Sequence, residues 1–324
     1  MTRADRRPEA PLHKVADAAR DNWADRLSPP ALLPYVRLAR FDRPAGAWLL
    51  LFPCWWSMLL AQDAAGQTLP NLWYMLLFAI GAFVMRGAGC TYNDIVDADF
   101  DGRVARTASR PIPSGQVSKR QAFAFAVGLS LVGFLVLIQF NWTTVFVGIA
   151  SLGMVALYPF AKRYTNWPQL VLGLTFKWGA LVGWTAIADR LAWPMLVLYA
   201  GCIAWTIAYD TIYAHQDKED DAMIGLKSTA LHFGRQTPLW LTGFFAAALA
   251  LWALAGVLAG AQSGFFIALA LTAAHFAWQV ATLDMDDAAN CLVRFKANIQ
   301  VGWLLTVGLT ADLLLMALAS GGLR

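Results

Sequence analysis

Runs of about 20 predominantly apolar residues, each long enough to cross a bilayer as a helix, recur nine times in this 324-residue chain, near 45–62, 71–92, 121–139, 142–161, 168–188, 193–213, 239–260, 264–283 and 299–319. No soluble core uses so many. Hydrophobic residues make up 58% of the chain and charged residues 14%, against roughly 45–50% and about 25% in soluble domains. The fold class this predicts is all-α, a polytopic membrane protein. Disorder, collagen and a secreted disulfide scaffold are excluded. Cys54, Cys90, Cys202 and Cys291 form no metal-binding spacing, and those in apolar runs are expected to pack as small hydrophobes.

The basic residues orient the spans. With the N-terminus in the cytoplasm, 21 of the 25 Lys and Arg residues fall in cytoplasmic segments and only Arg190 and Arg324 in outer ones. Arg86 and Lys177 fall inside spans. This is the asymmetry of the positive-inside rule. It predicts a bacterial inner membrane protein with a cytoplasmic N-terminus and a periplasmic C-terminus. Residues 1–40 read as a polar tail ending in a short surface helix, and 41–324 as the membrane domain. The tail has no apolar stretch like a secretory signal. Its acids (Asp5, Glu9, Asp17, Asp21 and Asp25) argue against an organelle transit peptide.

The acids are concentrated as well. Nine of the 21 lie in two segments, 93–101 and 210–221, and both segments emerge on the cytoplasmic side. Asn93, Asp97 and Asp101 are spaced i, i+4, i+8, and a continuing helix would stack them on one face. Asp217 and Asp221 repeat the i, i+4 spacing. Asp210 lies seven residues earlier on nearly the same face, about 10 Å deeper at 1.5 Å per residue. Like charges at i, i+4 destabilise a helix, so these clusters call for a compensating cation. All-oxygen donors suit Mg2+, which is commonly held by one or two carboxylates plus substrate phosphate oxygens.

Arg103, Arg106, Arg110, Lys162, Arg163 and Lys227 stand around the acids. Carboxylates for a metal beside Arg and Lys make a receptor for a diphosphate. A lipid diphosphate would keep its tail between helices and its head at the aqueous edge. Loss of diphosphate from an allylic carbon leaves a cation, which aromatic faces stabilise and a dry site protects from water. No nucleic-acid partner is expected.

Two segments carry a specific resemblance. Asn93-Asp94-x-x-Asp97-x-x-x-Asp101 is followed by Arg106-Thr-Ala-Ser-Arg110-Pro-Ile-Pro-Ser-Gly115. Together they resemble the first signature of the UbiA-type intramembrane prenyltransferases. Tyr209-Asp210-x-x-Tyr213-x-x-x-Asp217-x-x-Asp220-Asp221-x-x-x-Gly225-x-Lys227-Ser228-Thr229 resembles the second. Arg43-Pro44-Ala-Gly46, Met85-Arg86-Gly-Ala-Gly-Cys90 and the segment from Tyr158 to Tyr164 resemble the branch that acts on 4-hydroxybenzoate.

The resemblance implies nine helices around a central cavity open to the lipid. It implies Mg2+-dependent transfer of a polyprenyl group from polyprenyl diphosphate to 4-hydroxybenzoate, at the ring carbon ortho to the hydroxyl, an early membrane step of ubiquinone biosynthesis. Asn93, Asp97 and Asp101 would hold one Mg2+, and Asp217 and Asp221 another. Asp94 and Asp220 would support them. Arg106, Arg110 and Lys227 would contact the diphosphate, and Arg43 and Tyr213 would line the substrate site. Arg163 and Asp210 would place the aromatic acceptor, Arg163 gripping its carboxylate and Asp210 orienting or deprotonating the phenol. Asp99 and Lys177 depart from the pattern.

Other residues have plainer readings. His215 and His275 are expected to line or pack the bundle. Arg86 should pair with an acid or the diphosphate, and Lys177 should snorkel or pair within the bundle. Asp284, Asp286 and Asp287 read as solvated loop charge. The sequence leaves two alternatives. One is a sibling enzyme acting on haem, naphthoate, homogentisate or chlorophyllide. The other is a secondary transporter, which would place its ionisable groups nearer the midplane.

Overall fold

The computed structural model describes residues 23–102, 107–223 and 225–319. Among them are helices and no strand. Nine of these helices are long and apolar enough to cross a membrane: Ala45–Ala64, Leu72–Asp99, Lys119–Leu137, Trp142–Phe160, Pro168–Ala188, Trp193–Asp217, Thr229–Ala259, Ser263–Ala281 and Ala288–Ala319. Numbered first to ninth in that order, they overlap the runs expected from sequence, the seventh starting ten residues before the expected 239. The ninth starts eleven residues before the expected 299 because Arg294 and Lys296, expected in a loop, lie on its first turns.

Local chemistry sets the boundaries. Asn141 caps the fourth span by accepting a hydrogen bond from the Thr144 backbone N–H at 2.9 Å. Pro168 opens the fifth span, where the missing N–H costs nothing. Asp189, with φ 49°, closes that span in the left-handed region. The fifth span is interrupted, with one helix at Pro168–Phe176 and a second at Gly179–Ala188. The eighth span takes its cap from the ninth. Asp312, fully buried, accepts from the backbone N–H groups of Gly264 (2.7 Å), Phe265 (3.0 Å) and Gln262 (3.1 Å). A side chain on Gly264 would lie 2.8 Å from the Gly308 carbonyl oxygen. Glycine there brings the two helices into backbone contact, as small residues do in membranes.

The chain forms two compact units, Met1–Pro44 with Gly87–Leu129, and Ala45–Arg86 with Ser130–Arg324. The smaller unit has a small core of Leu38, Ala98, Ile112, Val117 and Ala122, with Tyr35 and Phe125 packed edge-on at 5.1 Å. The short helix expected before residue 41 is present at Leu33–Leu38, with Arg37 bound to Asp25 at 3.0 Å. The larger unit is built around indoles and phenyl rings. Trp56 lies 5.3 Å from Trp205 and 5.2 Å from Trp252. Its indole N–H donates to the Gly302 carbonyl and the Thr306 hydroxyl, both at 3.1 Å. Large apolar side chains such as Leu72, Trp142, Trp193 and Leu239 face outward, as lipid-facing helices require.

Candidate active site

The first acidic motif belongs to the smaller unit. The helix that begins at Leu72 does not stop at the end of its apolar run but continues to Asp101. This is the continuation that the i, i+4, i+8 spacing requires. Asn93 Nδ2 donates to Asp97 Oδ2 at 3.1 Å, one turn apart. Asp94 and Asp97 are each 1% exposed and Asp101 7%. Buried carboxylates need partners, and arginines supply them. Arg110 Nη1 donates to Asp101 at 2.7 Å and to Asp94 at 3.3 Å, and Arg40 Nη2 donates to Asp94 at 2.8 Å. Burial pushes the Asp101 carboxyl above its ordinary range, and the Arg110 guanidinium opposes that shift. Asp99 lies on the exposed side of the helix, bound to Lys119 at 3.0 Å, so this extra acid stands apart from the buried stripe.

Arg40 is a site residue that sequence reasoning passed over. It sits just after the Leu33–Leu38 helix with φ 59°, a left-handed conformation uncommon outside glycine. Its Nη1 donates to the Arg37 carbonyl at 2.9 Å. That turn aims the guanidinium at Asp94, and nothing in residue spacing announces it. Arg43 lies 3.8 Å from Asp42. Arg103 and Arg106 fall outside the described residues.

The second motif belongs to the larger unit. The sixth span is α-helical from Trp193 to Ala214, then tightens into a 3-10 turn at His215–Asp217 before a short helix at Lys218–Met223. A 3-10 turn has about three residues per turn rather than 3.6. The expectation of one straight helical face through Asp210 and Asp217 is therefore corrected, because the tighter turn changes the register before Asp217. Asp210 and Asp217 are half-buried. The side chains of Asp220, Asp221 and Lys162 fall outside the described residues.

Lys218 binds the Asp286 carboxylate and donates to the Met285 carbonyl at 3.2 Å. The hydrogen bond from Lys218 holds the Asp286 carboxyl below its ordinary range. Asp286 therefore has a partner, unlike the purely solvated loop acid expected. Lys227 is exposed, with Nζ 3.4 Å from the Tyr164 carbonyl, beside Arg163. The Arg163 guanidinium lies over the Phe160 ring at 5.5 Å, and Tyr213 lies against Phe295 at 4.7 Å. His215 is buried and paired with Thr237 at 3.1 Å, and His275 is hydrogen-bonded to Gln300 and Gln279. Both match the packing role expected of them.

Deeper in the larger unit, charge gathers around Asp210. Gln169, Arg86 and Lys177 are the polar and cationic side chains that act on it. Gln169 accepts from the Thr229 backbone N–H at 3.1 Å, which fixes its amide oxygen. The Arg86 guanidinium lies over the Phe176 ring at 4.7 Å. A side chain on Gly46 would come within 2.8 Å of Arg86 Nε, so glycine there makes room for the cation. Gln169 was missed from sequence because a neutral amide in an apolar run carries no pattern. Lys177 does not snorkel, since it is fully buried.

The donor set fits a hard divalent cation. Asp97 presents carboxylate oxygens beside the Asn93 amide on one face. Among the described residues no three acidic, His or Cys side chains converge to hold an ion by themselves. An ion there would draw further ligands from a substrate, as Mg2+ commonly does.

Residues 50–317 match the profile of the UbiA prenyltransferase family. A mitochondrial 4-hydroxybenzoate polyprenyltransferase of Aedes aegypti is 45% identical over 91% of this chain and 68% of its own. The mitochondrial enzyme of the same name from Bos taurus is 49% identical over 87% of this chain and 76% of its own. Among solved structures, a UbiA homologue from Archaeoglobus fulgidus bound to GPP and Mg2+ superposes with a TM-score of 0.65 at 17% identity, over 87% of this chain and 99% of that one. These relatives correct the expectation of a bacterial inner membrane, because they point to the mitochondrial membrane instead. The charge asymmetry that prompted that expectation sorts loops to one side of a bilayer and carries no information about which bilayer.

Proposed function

The chain belongs to the UbiA prenyltransferase family, and on that premise we propose that it transfers a polyprenyl group from polyprenyl diphosphate to 4-hydroxybenzoate, requiring Mg2+ and releasing diphosphate. In this reaction the allylic C–O bond breaks and the electron pair leaves with the diphosphate. A C–C bond forms at the ring carbon ortho to the hydroxyl, and the proton on that carbon departs as aromaticity returns. The reaction serves ubiquinone biosynthesis.

The observation that carries this reading is the cluster of buried acids Asp94, Asp97 and Asp101 beside Asn93 at the end of a membrane helix, with Asp94 and Asp101 braced by arginines. Asn93, Asp97 and Asp101 would hold one Mg2+, and Asp217 and Asp221 a second. The ions would neutralise the charge that develops on the leaving diphosphate. Arg110 serves both sides of this chemistry. It neutralises Asp94 and Asp101 before substrate arrives, and its remaining guanidinium donors suit phosphate oxygens. Arg106 and Lys227 would join it on the diphosphate, and Arg43 and Tyr213 would line the substrate path.

On the acceptor side, Arg163 would take the carboxylate with its planar pair of donors. Asp210 would orient the phenol, with Gln169 and Arg86 as its polar neighbours. Purified protein in lipid vesicles, given 4-hydroxybenzoate, a polyprenyl diphosphate and Mg2+, should form the prenylated hydroxybenzoate and free diphosphate in equal amounts. Product formed only from a different aromatic acceptor would overturn the assignment.

A further inference from the structure

Lys177 is an unusual residue to bury in a membrane bundle, and its surroundings say what it does. It stands where the fifth span is interrupted, between Phe176 and Gly179. Its Nζ donates to the Leu49 carbonyl of the first span at 2.6 Å. It also lies 4.4 Å from the ring centre of Trp205 and 5.2 Å from that of Tyr209.

Leu49 is no arbitrary acceptor. In a helix its carbonyl bonds the N–H four residues on, and that residue is Pro53, which lies inside the first span and has no N–H. The carbonyl is left without its intrahelical donor in a place where water cannot supply one. The Lys177 ammonium provides the missing donor from another helix. The surrounding packing holds the two elements together. Side chains on Gly179 and Gly183 would collide with Cys54, the residue after Pro53, and Ser57 donates to the Ala180 carbonyl. The cation keeps company with two aromatic faces. Trp205 is fixed in that orientation by its indole hydrogen bond to Asn298 at 2.7 Å, and Asn298 is itself bound to Gln279 at 3.0 Å.

The first span, tied by this bond, and the sixth, whose Tyr209 ring lies beside the cation, both carry residues of the acceptor side. Seven residues before Pro53, Gly46 receives the Arg86 guanidinium, and Tyr209 precedes Asp210. We propose that Lys177 is a positioning residue for the aromatic acceptor: it completes the hydrogen bond that Pro53 denies to Leu49 and fixes the first span where it carries Gly46 against Arg86. The acceptor part rests on the function proposed above, whereas the coupling to Pro53 does not.

A double-mutant cycle tests both parts. In Pro53→Ala the backbone N–H is restored and Leu49 no longer needs Lys177. Lys177→Met alone should raise KM for 4-hydroxybenzoate about tenfold, equivalent to about 1.4 kcal/mol of binding, with KM for the prenyl diphosphate nearly unchanged. Pro53→Ala/Lys177→Met should recover most of that loss, and Lys177→Gln, which keeps a donor, should fall between. Unfolding temperatures in detergent should show the same coupling, with Lys177→Met costing more in the wild-type background than in the Pro53→Ala background. Equal cost in both backgrounds would overturn the hydrogen-bond assignment, whatever the acceptor proves to be. A coupled stability effect with both KM values rising together would overturn the positioning role. If Lys177→Met fails to fold, recovery of folding in the double variant supports the proposal, and failure of both sinks it.

Discussion

The two acidic motifs are held in different ways. Asn93 to Asp101 ride on a helix that runs unbroken out of the apolar region, and two of its buried carboxylates, Asp94 and Asp101, are held by Arg40 and Arg110. Asp217 sits on a 3-10 turn between a long helix and a six-residue one, and the neighbouring tie is an ion pair whose Asp286 partner is exposed. The first motif has its geometry before any ligand arrives, since buried charge pairs fix their partners. Among the described residues the second is carried on short elements, and one tie beside it is an exposed ion pair, which is worth little in isolation. The motifs thus differ in the backbone that carries them, an unbroken helix against a tight turn between two helices.

Substitutions can undo this contrast at several levels. The largest effect should come from the acids themselves. Asp97→Ala and Asp217→Ala should each lower kcat by roughly a thousandfold, about 4 kcal/mol in the barrier, while the protein still inserts. Wild-type turnover by either, or full activity in excess EDTA, would remove the metal from the mechanism.

Next comes Arg110→Ala, which strips a partner from two buried carboxylates. Removing one side of such a pair costs about 3–5 kcal/mol of stability. Burial raises the Asp101 carboxyl and Arg110 restrains it. A folded-state value above the unfolded one means that stability falls as pH rises through that window. Without Arg110 the window widens, so the deficit in unfolding temperature should shrink in mildly acidic buffer and grow toward neutral. A deficit independent of pH would mean that Arg110 braces packing rather than charge.

Arg163→Lys should raise KM for 4-hydroxybenzoate by roughly tenfold, because the ammonium cannot make two parallel hydrogen bonds to a carboxylate. The KM for prenyl diphosphate should move much less. The reverse pattern would transfer Arg163 to the phosphate side. The smallest effect should come from Asp286→Ala. Its ion pair with Lys218 is exposed, so unfolding temperature should hardly change. A large loss of activity there would show the second motif to be as tightly built as the first.

The bundle was legible because a bilayer permits few solutions. Length alone located all nine helices, and the Asn93–Asp101 spacing announced that one of them continues. What stayed hidden depends on meetings between distant residues. Arg40 reaches Asp94 through a left-handed turn that no spacing rule encodes. Gln169 is one amide among apolar residues until Thr229 closes on it. Lys177 looked anomalous because its reason, Pro53, lies 124 positions earlier. The 3-10 turn at His215 broke a face that a uniform helix would have kept.

The Asp312 cap has a consequence for how the polypeptide is made. Alone in hydrocarbon, an aspartate in the last turns of a nascent helix is costly, and the open N–H groups at the start of the preceding helix are costly too. Each defect is cured by the other, since Asp312 closes those same N–H groups. The last two helices therefore gain by leaving the translocation machinery as a hairpin, already bonded, rather than one after the other. A ribosome stalled after the eighth helix would hold it waiting at the exit until the aspartate that completes it has been synthesised.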